Sequence, residues 1–289
     1  MSARATEDEG MTALMDGRMD EAVVLLARAA DEYVVEKDDL GAMSVLANLA
    51  FLHRQHHQLP RALELTNRAL TFPVAPADAA IALVNCAGVL DRALDRRARG
   101  VWMLAAQGFT DKQPLMQVVC LAHAIGAELA QGSSGGLTAA RALLAQVSVG
   151  APVPMLAGFV GAIGDSAGPH GVPFLAQAVW LMANDATAFT GSTQSHWALL
   201  VERTGFAEPL ALSLCVLGLG AALARKDEKD FAAVSSGVRA VFESCATARG
   251  LDEAAFASLV QQNAGALESL PEALRELVAE GHWVLPIRG

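Results

Sequence analysis

Two blocks of the chain repeat each other. Residues 19–30, MDEAVVLLARAA, and residues 59–70, LPRALELTNRAL, superpose at an offset of 40, with Ala22 on Ala62, Leu25 on Leu65, Arg28 on Arg68 and Ala29 on Ala69. Each block sets a small residue, then a bulky apolar one about a turn later, then a second small one seven residues on, which is one face of a closely packed helix. Repetition at such a period marks stacked supersecondary units, none of which buries its apolar face alone. Between the blocks, residues 42–56 read AMSVLANLAFLHRQH, with Leu46, Leu49 and Ala50 at helical spacing, followed by a polar break at His57-Gln58 and by Pro60. A helix, a short turn and a second helix follow. Composition agrees: 57 alanines against 4 isoleucines and 1 tyrosine favour helix and starve a sheet of its usual residues. The expectation is an all-α fold.

These residues resemble the tetratricopeptide repeat. With Ala62 on the family's second-helix alanine, Leu46, Leu49 and Ala50 fall on its large, leucine and glycine positions, and Ala69 on its later alanine. His53, Thr66 and Pro73 depart from the pattern. A first repeat fits through Gly10, Ala22, Leu26 and Ala29, a third through Ala98, Trp102 and Ala105, and a fourth through Ile125, Gly126, Ala140 and Leu144. The key alanines are then spaced 40, 36 and 42, beyond the family's usual period, so longer helices or loops are expected. The resemblance implies an α-solenoid of antiparallel helical hairpins over residues 1–150. A low-charge helical continuation follows over 151–289, with one further degenerate repeat around Leu217, Gly218, Ala233 and Ala240 and a polar C-terminal cap over 251–281. It also implies a non-catalytic interaction module, an adaptor, scaffold or dedicated chaperone, that needs no cofactor and holds a peptide or partner helix in a concave groove. The first helix of each hairpin lines that groove in the family, which nominates Asn48, Phe51, Arg54 and Gln55. Asn48 matches an asparagine with which some members grip a peptide carboxylate. Ser44 stands where those members carry a basic residue, so the implied groove is a general peptide groove.

Charge and cysteine usage exclude other classes. The formal charge is −10, and residues 1–40 hold eleven acids against four bases, an acidic face unsuited to displacing counterions from nucleic-acid phosphates. Cys86, Cys120, Cys215 and Cys245 lie at least 30 residues apart with no CxxC pair, which fits neither a disulfide framework nor a zinc knuckle and points to a reducing cytoplasm. Residues 142–224 carry five charges, Asp165, Asp185, Glu202, Arg203 and Glu208, against 47 in the other 206 residues. The uncharged run 142–164 is 23 residues long, enough to span a bilayer, but Gly150, Pro152 and Pro154 divide it into two helices too short to do so. Buried helices or an apolar interface, including one between copies of the chain, are expected there instead of membrane insertion.

Three constellations could carry chemistry. Gly164-Asp165-Ser166-Ala167-Gly168 matches the GxSxG elbow of serine hydrolases, with AGFVGAIG as its strand and Asp227 or Asp252 and His282 downstream in the order of the triad. No oxyanion segment precedes it, and a helix-ending Gly/Ser loop is the simpler expectation. His53, His56 and His57 share a helical side able to hold a metal, but no carboxylate completes the set, so a solvated turn is expected; Cys120 and His123 read as core. Arg92, Arg96 and Arg99, spaced four then three, form a basic helical stripe beside Asp91 and Asp95, either internally paired or open to an acidic peptide. A serine hydrolase at Ser166 and a small-molecule-sensing helical regulator with its pocket in the low-charge centre are the alternatives to the interaction module.

Overall fold

The computed structural model describes residues 2–109, 113–147, 152–171 and positions 174, 175 and 178. These residues are helical throughout, with no strand among them: α1 (Ala3–Met15), α2 (Met19–Glu36), α3 (Asp39–Gln55), α4 (Leu59–Ala69), α5 (Pro76–Arg92), α6 (Ala98–Gly108), α7 (Pro114–Ala130), α8 (Ser134–Val147), α9 (Val153–Ser166) and a 3-10 turn, Gly168–Gly171. The expected further repeat around residues 217–240 and the polar cap over 251–281 lie outside the described residues, as do Cys215 and Cys245. Contacts divide the chain into two compact units, Met1–Ala127 and Glu128–Gly289.

Helices α1, α3, α5 and α7 all end in the same turn. Gly17, His57, Leu94 and Gly132 take the left-handed conformation, with φ of 76°, 58°, 52° and 76°. In each case that residue donates its N–H to the carbonyl three back, and the next residue donates to the carbonyl five back: Arg18 to Ala13, Gln58 to His53, Asp95 to Leu90 and Ser133 to Glu128. This is the Schellman termination, which satisfies carbonyls that the helix end leaves open. These four turns are spaced 40, 37 and 38 residues, and α2 closes in the same way, with Lys37 at φ of 61° donating to Val34 and Asp38 to Tyr33. Only two of the four positions are glycine, which hides the pattern from composition.

In the first unit α1 packs on α2, α2 on α3, α3 on α4 and on α5, and α5 on α6. Ala22, Ala29, Ala50, Ala62, Ala69, Ala98 and Ala105 are buried, together with Leu26, Leu46, Leu49 and Leu90 at 1% exposure or less. Each such leucine contributes about 1.5–3 kcal/mol of apolar burial, and the alanines let neighbouring helices close on it. Gly10 sits in one such seam, where a Cβ would come within 2.9 Å of Leu26 Cγ. Gly136 of α8, four places after the left-handed Gly132 as Ala98 is after Leu94, is buried. Ala140 lies a helical turn further on and is buried, as is Leu144.

Part of the N-terminal acidic face holds α1 to α2. The Tyr33 hydroxyl donates to Glu7 at 2.6 Å, the Thr6 hydroxyl to Glu32 at 2.6 Å and the Ala3 N–H to Glu36 at 3.0 Å. The Thr6 bond, with Arg28 beside it, holds the Glu32 carboxyl below its ordinary range.

In the second unit α8 packs on α9 and α9 on the 3-10 turn, burying Leu144, Leu156, Phe159, Val160, Ile163 and Leu175. The uncharged run is shared between these two helices, with Pro152 as the N-cap of α9 and Pro154 in its first turn. No helix among the described residues is long and apolar enough to cross a membrane.

Candidate functional site

Helices α3 and α5 are the first helices of successive hairpins, and they lie against each other. Ser44, Asn48, Phe51 and Gln55 recur at i, i+4, i+7 and i+11 on α3, while Asp78, Ile81, Asn85, Gly88 and Arg92 run along the facing side of α5. Asn85 Nδ2 donates to Asn48 Oδ1 at 3.0 Å, joining the two rows at an offset of 37, the spacing of their closing turns. Both amides are half-buried. An asparagine carries two N–H donors and a carbonyl with two lone pairs, so this bond leaves the Asn48 amide group and the Asn85 carbonyl side with capacity for a ligand. Exchanging both amide orientations leaves the same inventory.

A groove of about 370 Å³ opens beside this pair. Its walls include Ser44 and Asn48 of α3, Asp78 and Ile81 of α5, and Phe109 and Gln113 beyond α6. Phe109 is buried and forms an apolar floor, whereas Ile81 is 69% exposed at the rim. Further along, the Arg54 guanidinium lies over the Phe51 ring, 5.0 Å from its centroid, and reaches across to α5. A Cβ at Gly88 would stand 2.6 Å from Arg54 Nη1, so the missing side chain is what seats the guanidinium. Of the four residues nominated from the resemblance, Asn48, Phe51 and Arg54 therefore share one surface, and Gln55 is exposed at the end of α3. Asp78, Ile81, Asn85 and Gly88 escaped sequence reasoning, although moving Asn48 forward by one repeat period lands on Asn85.

The basic stripe takes a different form from the one its spacing predicts. Arg92 is the last residue of α5, Arg96 lies in the connection and Arg99 is the second residue of α6, because Leu94 turns left-handed and breaks the helix. The three guanidinium groups therefore belong to no common helical face. Within the connection Asp95 pairs with Arg97 at 2.6 Å, which lowers its carboxyl pKa, and Asp91 accepts the Trp102 indole N–H at 2.6 Å.

The GDSAG string is also placed otherwise than an elbow requires. The segment AGFVGAIG is helical, part of α9, and Ser166 is the last residue of that helix at 2% exposure. A nucleophile elbow presents its serine on a strand-to-helix turn at the surface, and neither condition holds here. Asp227, Asp252 and His282 lie outside the described residues.

His53 shares a 2.5 Å hydrogen bond with Gln58 across the closing turn of α3, His56 caps the helix and His57 occupies the left-handed position. Among the described residues no group of three or more His, Cys, Asp or Glu is placed to hold a metal. Cys120 is buried and His123 stacks on Trp102 with centroids 4.3 Å apart. Burial pushes the thiols of Cys86 and Cys120 up to about 12 and about 11, far from the reactive thiolate range.

Comparisons with protein-family models, with curated proteins and with solved structures gave no match to this chain.

Proposed function

We propose that the chain is a non-catalytic protein-interaction module of the tetratricopeptide-like kind, an adaptor, scaffold or dedicated chaperone of the cytoplasm. Its hairpins stack as a solenoid closed by a polar C-terminal cap, and it holds a peptide in the groove between α3 and α5. The observation that carries this reading is the Asn48–Asn85 pair, two half-buried amides on the first helices of successive hairpins, joined by one bond beside a groove that Asn48 lines. Each amide can meet a peptide unit with one donor and one acceptor, which recognises main chain without regard to sequence. The ion pair from Arg68 of α4 to Asp31 of α2, which links the second helices of successive hairpins, supports the repeat architecture, as do the like closing turns of α1, α3 and α5.

The test is selection of a random-peptide display library on the immobilised full chain. Enriched peptides are expected to lose at least tenfold in affinity on Asn48→Ala/Asn85→Ala, with helicity unchanged. Enriched peptides indifferent to that substitution contradict the groove assignment.

A further inference from the structure

Among the described residues that wall the groove between α3 and α5, Asp78 is the single charged group. Ser44, Asn48 and Gln113 are its neutral polar side chains, and Ile81 and Phe109 are its large apolar ones. Many acids of the first unit are committed to partners. Glu7 accepts from Tyr33 and Glu32 from Thr6, Asp31 pairs with Arg68, Asp38 caps the Gly41 N–H, and Asp95 holds Arg97. The Asp78 carboxylate makes no hydrogen bond or ion pair among the described residues, and it does not cap its own helix, whose N-cap Ala75 has no side-chain bond. An acid in a first turn complements the helix dipole and by itself implies no ligand. Asp20 does as much in α2, outside this groove. What sets Asp78 apart is its surroundings: Ile81, within a turn of it, is 69% exposed at the rim, Phe109 forms the floor, and Ser44 and Asn48 bound the wall on α3. The groove therefore presents one unbalanced negative charge beside uncovered apolar surface, in a concavity that focuses its field.

Resting on the peptide-groove reading above, we infer that the occupant is an extended peptide segment with a lysine or arginine at Asp78 and, two positions from it, a large apolar residue on Ile81 and the Phe109 floor. The spacing follows from geometry. Side chains two apart in an extended chain lie on one side of it, about 6.6 Å from each other, and Asp78 and Ile81 fall within one turn of α5. The apolar stem of the base lies along the alanines of the wall while its charge reaches the carboxylate. The Asn48 amide remains for the main chain. An acidic side chain in the same place meets Asp78 as a like charge, so the groove rejects acidic segments as well as admitting basic ones.

The random-peptide selection on the full chain tests this when it is repeated on Asp78→Asn, Asp78→Lys and Asp20→Asn. The last removes the same charge from the first turn of α2, which cancels any general attraction of basic peptides to an acidic protein. Wild type and Asp20→Asn should enrich the same pair of a basic and an apolar residue. Asp78→Asn should lose the basic preference and keep the apolar one, and Asp78→Lys should enrich an acid in place of the base. By fluorescence anisotropy, peptides enriched on the wild type should bind Asp78→Asn about threefold more weakly or worse, with helicity unchanged and with less sensitivity to salt. If Asp78→Asn and Asp20→Asn both enrich the wild-type peptides, and these weaken on Asn48→Ala/Asn85→Ala, the charge assignment is overturned while the peptide groove stands. If no peptide is enriched, or the enriched peptides ignore both the Asp78 and the asparagine substitutions, the inference and the groove reading fall together.

Discussion

Tyr33 is the one tyrosine in the chain, so its titration reports on a single site, where its hydroxyl meets Glu7 of α1 and its ring lies against Gly41 of α3. Burial and the hydrogen bond to Glu7 push its phenol up to about 12, against an ordinary value near 10. A folded value above the unfolded one means that this stabilisation is complete below about pH 10 and lost as pH rises through the folded value. An ultraviolet absorbance titration should therefore show a midpoint near 12 that moves down in Glu7→Gln; a midpoint near 10 in the wild type would put the phenol in water. The sign is opposite for Glu32. Its lowered value makes a contribution that is present above the ordinary carboxylate range and lost on acidification.

Two glycines separate backbone from side-chain obstruction. A Cβ at Gly108 would lie 2.2 Å from the Pro76 carbonyl oxygen and 2.7 Å from Ala80 Cβ, neither of which can swing aside. Gly108→Ala should lower the urea midpoint by the equivalent of about 1–3 kcal/mol through overpacking. At Gly88 the obstacle is the mobile end of Arg54, so the helix-propensity gain of about 1 kcal/mol should leave Gly88→Ala as stable as wild type or more so. Equal losses in both variants would contradict the contrast.

At the scale of the element, the closing turns decide where helices stop. Leu94 takes φ of 52° and is 49% exposed, so Leu94→Gly removes a left-handed penalty with little loss of burial. It should raise the denaturation midpoint, with a gain of up to about 1 kcal/mol after the added freedom of the unfolded chain is subtracted. Gly17 has open space around its missing Cβ, so Gly17→Ala should lose about 1 kcal/mol for backbone reasons alone. An unchanged midpoint in both variants would mean that these turns carry no strain. In the seams between helices, Ala62→Leu should cost about 1–3 kcal/mol, because Ala62 is fully buried in α4.

The helices were largely legible because small residues at helical spacing mark the buried face, and because His57-Gln58 and Pro60 punctuate α3 and α4. The break after α5 was not legible. DRALDRRARG contains no glycine or proline until after the turn, and a leucine is an unexpected occupant of the left-handed position, so three arginines read as one stripe. In the same way AGFVGAIG, glycine-rich and without charge, reads as strand or helix alike until its packing against the 3-10 turn makes it α9.

At the scale of the whole molecule, what matters is which surfaces two successive hairpins bring together. Asn48, which lines the groove, was readable from one helix; Asp78 of its lining and Asn85, the bonding partner of Asn48, were not, since α5 contributes them and no local pattern marks them. A groove between two helices belongs to no one segment, so local motifs such as GDSAG and the histidine triplet do not point to it. Backbone hydrogen exchange reads both walls at once. With a peptide selected on the full chain, amides in residues 44–55 and 77–92 should exchange more slowly on binding, and the two spans should be protected together. Protection confined to residues 152–171, with α3 and α5 unchanged, would contradict the account and move recognition to the low-charge unit.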